Sequence, residues 1–230
     1  MSSGAPLHLR PTAPLAERVL LPGDPGRALA LAQALLEEPR MFNHHRGLWG
    51  YTGTAPDGEP ATIQATGMGG PSAAIVLSEL IALGARRAIR VGTCGALEEG
   101  LALGDLVVAT EAICADGTSR ALGAGERVRA DPLLCDGLVA RAPSARAGAV
   151  VSVDLFYEPG PRPPRPGAIA IEMEAASLFA VGRAAGVQVA CVLAVSDTFT
   201  GDGRRRRIDD HTLLESAERM GRAALAALSG

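Results

Sequence analysis

Short apolar runs and longer amphipathic ones take turns along most of this 230-residue chain. Continuous or period-two apolar stretches predict strands at 19–21, 50–54, 61–66, 88–92, 105–113, 148–153, 168–171 and 187–195. Apolar positions recurring every three or four residues predict helices at 27–38, 71–83, 132–140, 174–185 and 212–228. Pro56, Asp57, Gly58 and Glu59 mark a hairpin between the second and third strands. This alternation predicts an α/β fold, one domain spanning 1–230, with a central mixed, largely parallel twisted sheet flanked by helices. Ligands of such a sheet bind beyond the C-terminal ends of its strands. No internal repeat, interdomain linker or heptad pattern interrupts the scheme, and the proline-rich stretch 159–167 reads as an exposed loop.

Composition narrows the function. Apolar residues make up 47% of the chain, too many for a disordered protein. The longest apolar stretch, near 187–195, is far too short to span a bilayer, so no membrane partner is expected. The opening M-S-S-G-A-P-L-H-L-R lacks the apolar centre of a secretory signal, which predicts a cytoplasmic protein. A net charge of −3 makes no electrostatic case for nucleic acid. All 22 basic residues are arginine, which excludes a lysine Schiff base and a Walker-type phosphate lysine. Cys94, Cys114, Cys135 and Cys191 have no C-x-x-C spacing, so free buried thiols are expected rather than a metal site.

The densest chemistry lies at 88–96, A-I-R-V-G-T-C-G-A. Arg90 on an apolar strand needs an anion or hydrogen-bonding partners. Gly92 and Gly95 admit backbone N–H groups, and Thr93 adds a hydroxyl donor. Together these suit phosphate, or equally a strand end where Arg90 pairs with a structural carboxylate. A second segment, V-L-L-P-G-D-P-G-R at 19–27, places Gly23 and Arg27 at the start of a helix, where free N–H groups and the dipole favour anions, or is an ordinary strand–helix connection with Pro25 near the helix start. The pair of segments favours an anion site.

Four further segments add candidates. T-G-M-G-G-P-S at 66–72 offers bare backbone with Met68 as an apolar wall, or simply a glycine-rich turn. I-A-I-E-M-E-A-A at 169–176 sets Glu172 and Glu174 around Met173, suited to accepting two hydrogen bonds from a vicinal diol or to capping a helix. Asp197 ends the apolar run V-L-A-V-S-D, where desolvation should raise its pKa and suit it to proton donation, or where it simply caps the next turn. Phe156, in D-L-F-Y, can stack on a planar base or fill the core. The run Arg204–Arg207 is a solvated face or a neighbour of Asp197.

In order and approximate spacing, L-P-G-D-P-G-R, R-G-L-W-G-Y-T-G, T-G-M-G-G-P-S, I-R-V-G-T-C-G, I-E-M-E-A-A-S and V-S-D resemble the nucleoside phosphorylase family. That family includes bacterial purine nucleoside, uridine and methylthioadenosine phosphorylases, and the similarity runs from about His8 to the C-terminal helix. The resemblance implies that Gly23, Arg27, Arg90 and Thr93 hold phosphate, with Arg46 reaching in from a neighbouring subunit. It implies that Glu174 accepts the ribose hydroxyls, Met68 and Met173 pack the sugar, Phe156 stacks on the base, and the neighbour's His8 meets the 5′ end. Asp197 matches the acid of the purine branch, which a uridine phosphorylase usually lacks. The supporting arginine aligns with Arg207, with Arg204, Arg205 and Arg206 left open.

The expected activity is therefore reversible phosphorolysis of purine nucleosides, with inorganic phosphate as co-substrate and no cofactor or metal. A uridine or methylthioadenosine phosphorylase is the alternative. A hydrolytic nucleosidase would not need Arg27, Arg46 and Arg90 together, and a silent nucleoside-binding protein would not need Glu174 and Asp197 as well. The proline-rich loop at 158–168 is shorter than in many bacterial purine enzymes. The segments S-D-T-F-T-G-D-G and E-M-E-A-A-S-L-F look closer to archaeal methylthioadenosine phosphorylases, which leaves the 5′ substituent open. The resemblance also implies a homo-oligomer, a hexamer built as a trimer of dimers, with a trimer as the alternative.

Overall fold

A computed structural model describes residues 6–157, 165–199 and 204–229. Most of the proline-rich loop at 159–167 and all of 200–203 lie outside the described residues. The chain runs β1 (Arg18–Leu21), α1 (Pro25–Leu35), β2 (Glu37–Asn43), β3 (Gly50–Thr54), β4 (Pro60–Gln64) and α2 (Gly70–Leu83). It continues through β5 (Arg87–Ala96), β6 (Leu106–Ala115), α3 (Gly117–Ala121), β7 (Arg127–Arg129), α4 (Pro132–Arg141) and β8 (Arg146–Val153). β9 (Ala170–Glu172), α5 (Ala175–Ala185), β10 (Gln188–Phe199), β11 (Arg205–Arg207) and α6 (Asp210–Leu228) complete it.

The strands buried at nearly every position, β1, β5 and β10, are covered on both faces and pair in parallel. β4 joins β1 in parallel, and the antiparallel strands β3 and β2 extend that side. On the other side β10 pairs antiparallel with β6, β6 and β8 pair in parallel, and β9 links β8 back to β5. Strands β5, β10, β6, β8 and β9 therefore close on themselves as a barrel, which removes their free edges. The sheet is mixed as expected, with a larger antiparallel share than strand–helix alternation predicts. The β2–β3 and β3–β4 pairs, the β6–β10 pair and the short strands β7, β9 and β11 supply that share.

Local sequence explains the element ends. Asp24 caps α1 by accepting the Arg27 N–H at 2.7 Å, with Pro25 in the first turn. The predicted continuation of this helix to 38 fails because Pro39 excludes the α conformation at Glu38, whose φ is 46°. The chain turns instead into β2, a strand that the polar run 37–41 conceals. α5 ends on Gly186 in the left-handed region at φ 67°. α6 packs on α1 through Gly221, where an added Cβ would meet Leu31 Cδ2 at 2.9 Å.

Beside the barrel, Arg18 fastens three distant segments. It is buried and donates to both Asp57 carboxylate oxygens at 2.5 Å, to Pro60 O at 2.9 Å and to Glu59 O at 2.8 Å. Ser229, past the end of α6, joins the same cluster at 3.0 Å. The hydrogen bonds from Arg18, against the opposing effect of burial, hold the Asp57 carboxyl far below the usual carboxylate range. Arg18→Ala is expected to lower the unfolding free energy in urea at pH 7 by about 2–4 kcal/mol. A depressed carboxyl stabilises above its unfolded value and loses that effect as pH falls, so the gap between wild type and variant should narrow below about pH 4.

Candidate active site

The strand ends converge on Arg90. It stands within β5 rather than at its end, because β5 stays paired with β10 through Gly95 and with β9 over its last residues. Side chains at i and i+2 share a strand face, and the Arg90 guanidinium folds along its own strand over Gly92. A Cβ at Gly92 would lie 2.6 Å from Arg90 Cζ. Gly92 thus clears space for a side chain, where the sequence suggests that it frees backbone N–H groups for a ligand.

Two carboxylates meet the guanidinium. Arg90 Nε donates to Glu172 Oε2 at 3.1 Å, and its Nη2 forms an ion pair with Glu174 Oε2. Burial opposes the charge on Arg90, and Glu174 and then Glu172 more than offset it, so the guanidinium stays firmly protonated. Glu172, at the end of β9, also accepts the Glu174 N–H at 2.9 Å, the Ala175 N–H at 3.0 Å and the Ser152 hydroxyl. Arg90 therefore pairs with structural acid, and one amino group remains over. That group, Nη1, is buried without a hydrogen-bond partner, and a Cβ on Gly23 would stand 3.9 Å from it.

Two further predicted anion ligands, Arg27 and Thr93, lie on α1 and β5. Arg27, in the first turn of α1, is half-buried. Burial lowers its guanidinium from the usual arginine value, with Arg90 adding to the effect and Asp24 and Glu174 opposing it. Thr93, on the same strand as Arg90, is half-buried as well. Glu174 Oε1 accepts the Gly69 N–H at 2.5 Å, which ties the turn bearing Met68 to the cluster. Gly67 and Gly69, at φ 74° and 88°, give that turn a course that favours glycine. Met68 is 87% exposed, and Met173 is half-buried between the two acids.

A second group forms across the β5–β10 ladder. The register slips between Val195 and Asp197, a bulge of the kind that re-aims side chains beside sites. Ser196 in the bulge donates to Asp197 Oδ2 at 2.7 Å, and its hydroxyl also reaches Cys94 O at 3.3 Å. Arg205 Nε donates to Asp197 Oδ1 at 2.6 Å, and Arg205 Cζ lies 4.3 Å from the centre of the Phe156 ring. Arg205, rather than Arg207, therefore hydrogen-bonds Asp197. Arg207 is directly opposite Asp197 in the backbone register, and the contact comes from the diagonal neighbour.

The electrostatics of Asp197 also differ from expectation. Burial pushes the carboxyl up, but the hydrogen bonds from Arg205 and Ser196 and the charges of Arg205 and Arg207 bring it below the usual range. Desolvation alone predicts the opposite. Cys94 lies between the two groups, within electrostatic reach of Glu172, Arg90 and Asp197, and burial pushes its thiol far up.

His8 and Arg46 form a third group, which shares no hydrogen bond or ion pair with the others among the described residues. Glu79 on α2 accepts the His8 ring at 2.7 Å and the backbone N–H groups of Leu7, His8 and Leu9. Burial would raise the Glu79 carboxyl, and these donors carry it below the usual range instead. The His8 carbonyl meets His45 Nδ1 at 3.0 Å, beside Arg46, which is exposed and held at φ 60°. Sequence reasoning misses Ser196 altogether, offers Glu172 only as a companion of Glu174, and leaves Arg205 among four arginines. Glu172 carries a signal of its own, since two acids two residues apart at a strand end share a face.

The family model of the Phosphorylase superfamily matches residues 17–229. A purine nucleoside phosphorylase DeoD-type of Oceanobacillus iheyensis is 36% identical over 197 residues, covering 80% of this chain and 83% of that protein. Proteins of the same name from Clostridium perfringens and Caldanaerobacter subterraneus subsp. tengcongensis are each 36% identical, covering 80% and 82% of this chain and 82% and 86% of their own.

Gly92→Ala tests the cradle. The added methyl has no space unless the guanidinium moves, so binding of inorganic phosphate, read by calorimetry, should weaken by roughly tenfold or more. An unchanged circular-dichroism spectrum with unchanged phosphate affinity would contradict the arrangement.

Proposed function

The chain belongs to the Phosphorylase superfamily, and from that premise we propose that it is a purine nucleoside phosphorylase, cleaving purine nucleosides with inorganic phosphate to free base and pentose 1-phosphate. The buried, unpartnered amino group of Arg90 is the observation that carries the reading. An N–H group left without a partner in a protein interior is unfavourable by about 1–3 kcal/mol, and a phosphate oxygen at Gly23 satisfies it. Arg27 and the Thr93 hydroxyl complete the anion's ligands, with Arg46 supplied by a second subunit.

Cleavage of the glycosidic bond passes through an oxocarbenium-like state. Phosphate held below C1′ stabilises that cation, and one of its oxygens bonds C1′ as the C1′–N9 bond breaks. The electron pair of the broken bond passes into the purine, where N7 takes a proton through Asp197, which is ionised while bonded to Arg205 and first takes that proton from solvent. Glu174 accepts the ribose 2′- and 3′-hydroxyls while Met68 and Met173 pack the sugar. Phe156 stacks on the base. Phosphate is the nucleophile and Asp197 the acid, so the scheme calls on no metal or organic cofactor. Four buried free cysteines are consistent with a cytoplasmic enzyme. Among the described residues no helix is long and apolar enough to cross a membrane.

Asp197→Asn keeps the shape and a hydrogen bond but cannot deliver a proton. Turnover of inosine or adenosine should fall by about 10²–10⁴-fold with little change in KM. A 7-methylated purine nucleoside already carries the charge that protonation creates, so its cleavage should be largely spared. Equal loss of both substrates would contradict the assignment.

The assembly is proposed as a hexamer in which His8 and Arg46 serve a neighbour's site. Their separation from the Arg90 group supports this, as does exposed apolar surface beside the His8–Glu79 contact, with Leu7 76% and Ile75 41% exposed. Light scattering at assay concentration should give six chains. A fully active monomer would contradict the shared site.

A further inference from the structure

Arg205 makes two contacts at once. Its guanidinium lies over the Phe156 ring, 4.3 Å from the centroid, and its Nε donates to Asp197 Oδ1 at 2.6 Å. A planar group that stacks on Phe156 while bonding in its own plane to the Asp197 carboxyl must occupy the space that this guanidinium fills. Those are the two contacts that a purine needs from these residues, a ring face for its π-system and a carboxyl for its N7. Tyr157 meets Phe156 edge-on, with centroids 4.9 Å apart and planes at 84°, and so leaves the stacking face to Arg205.

We propose that Arg205 is a built-in plug of the base subsite, a planar cation that the incoming purine displaces from Phe156 and Asp197. The inference rests on the purine phosphorylase reading and adds to it a competitor held within the protein itself. Arg205 is suited to the part: its side chain is one-third exposed, and it sits on the short strand β11. A guanidinium over an aromatic face contributes modestly at a partly exposed site, enough to lower base affinity without abolishing it. While the plug is in place, Asp197 is bonded to a cation and holds no proton for a substrate. When a purine takes the ring, the carboxylate loses the cation and can take up a proton from solvent, so an acid forms only beside a base that fits the stack.

The opposite sign is expected if Arg205 merely supports the site, and calorimetric titration of hypoxanthine and adenine separates the two. Arg205→Ala should bind hypoxanthine about three- to tenfold more tightly than wild type, the range that a guanidinium–ring contact spans. In a Phe156→Ala background the same substitution should raise affinity by less than it does with the ring present, because only the Asp197 carboxyl is still contested. Weaker or unchanged binding by Arg205→Ala, with wild type binding normally, overturns the plug and leaves the purine reading intact. Failure of wild type and every variant to bind either base overturns that reading and the plug with it.

Discussion

A guanidinium taken out of water must be met on all sides, and much of the site follows from how this chain meets Arg90. Removing such an ion from solvent costs several kcal/mol unless charge and hydrogen bonds replace the water. Glu172 and Glu174 supply the charge, one from the end of β9 and one from the start of α5. Glu172 is in turn held by the backbone N–H groups of residues 174 and 175 and by Ser152 on β8. The cluster therefore ties β5, β8, β9 and α5 together, and Gly92 is the small residue that lets the side chain lie there. What the acids leave unsatisfied is one amino group, facing Gly23 and the start of α1.

Closure of the barrel carries this geometry to the second group. β10 runs along β5 from residue 188 to residue 197, so the acid at its bulge lies a fixed distance from the guanidinium on its partner strand. Cys94 sits between them, and its protonated thiol adds bulk without charge. The Arg90 and Asp197 groups thus stand on one paired set of strands, while Met68 in its turn and Arg205 on β11 arrive from outside it. Preorganisation of this kind keeps the reacting groups in place without reorganisation during the reaction.

The long apolar elements are legible in the sequence, because β1, β5, β10 and α2 are buried enough for burial to dominate their composition. β2 escapes because its residues 37–41 are exposed and follow a helical run, so nothing but Pro39 signals the break. Glycine-rich motifs announce the Arg90 site, while the use of Gly92 depends on a side chain folded over its own strand. Choosing among four consecutive arginines is beyond composition. Only the register of β11 on β10, and the diagonal reach from Arg205, selects the one that meets Asp197. The sign of the Asp197 shift is hidden for the same reason, since desolvation is legible in an apolar run and an arginine eight residues away is not.

In the proposed reaction phosphate, not water, arrives at C1′. The direct measurement is to supply inosine with phosphate labelled by ¹⁸O at every oxygen, in ordinary water, and to weigh the sugar product. The expected product is a pentose phosphate that keeps all the label of the phosphate supplied, its C1′–O bond made from a labelled oxygen. Free, unlabelled ribose formed at the same rate with or without phosphate would contradict it.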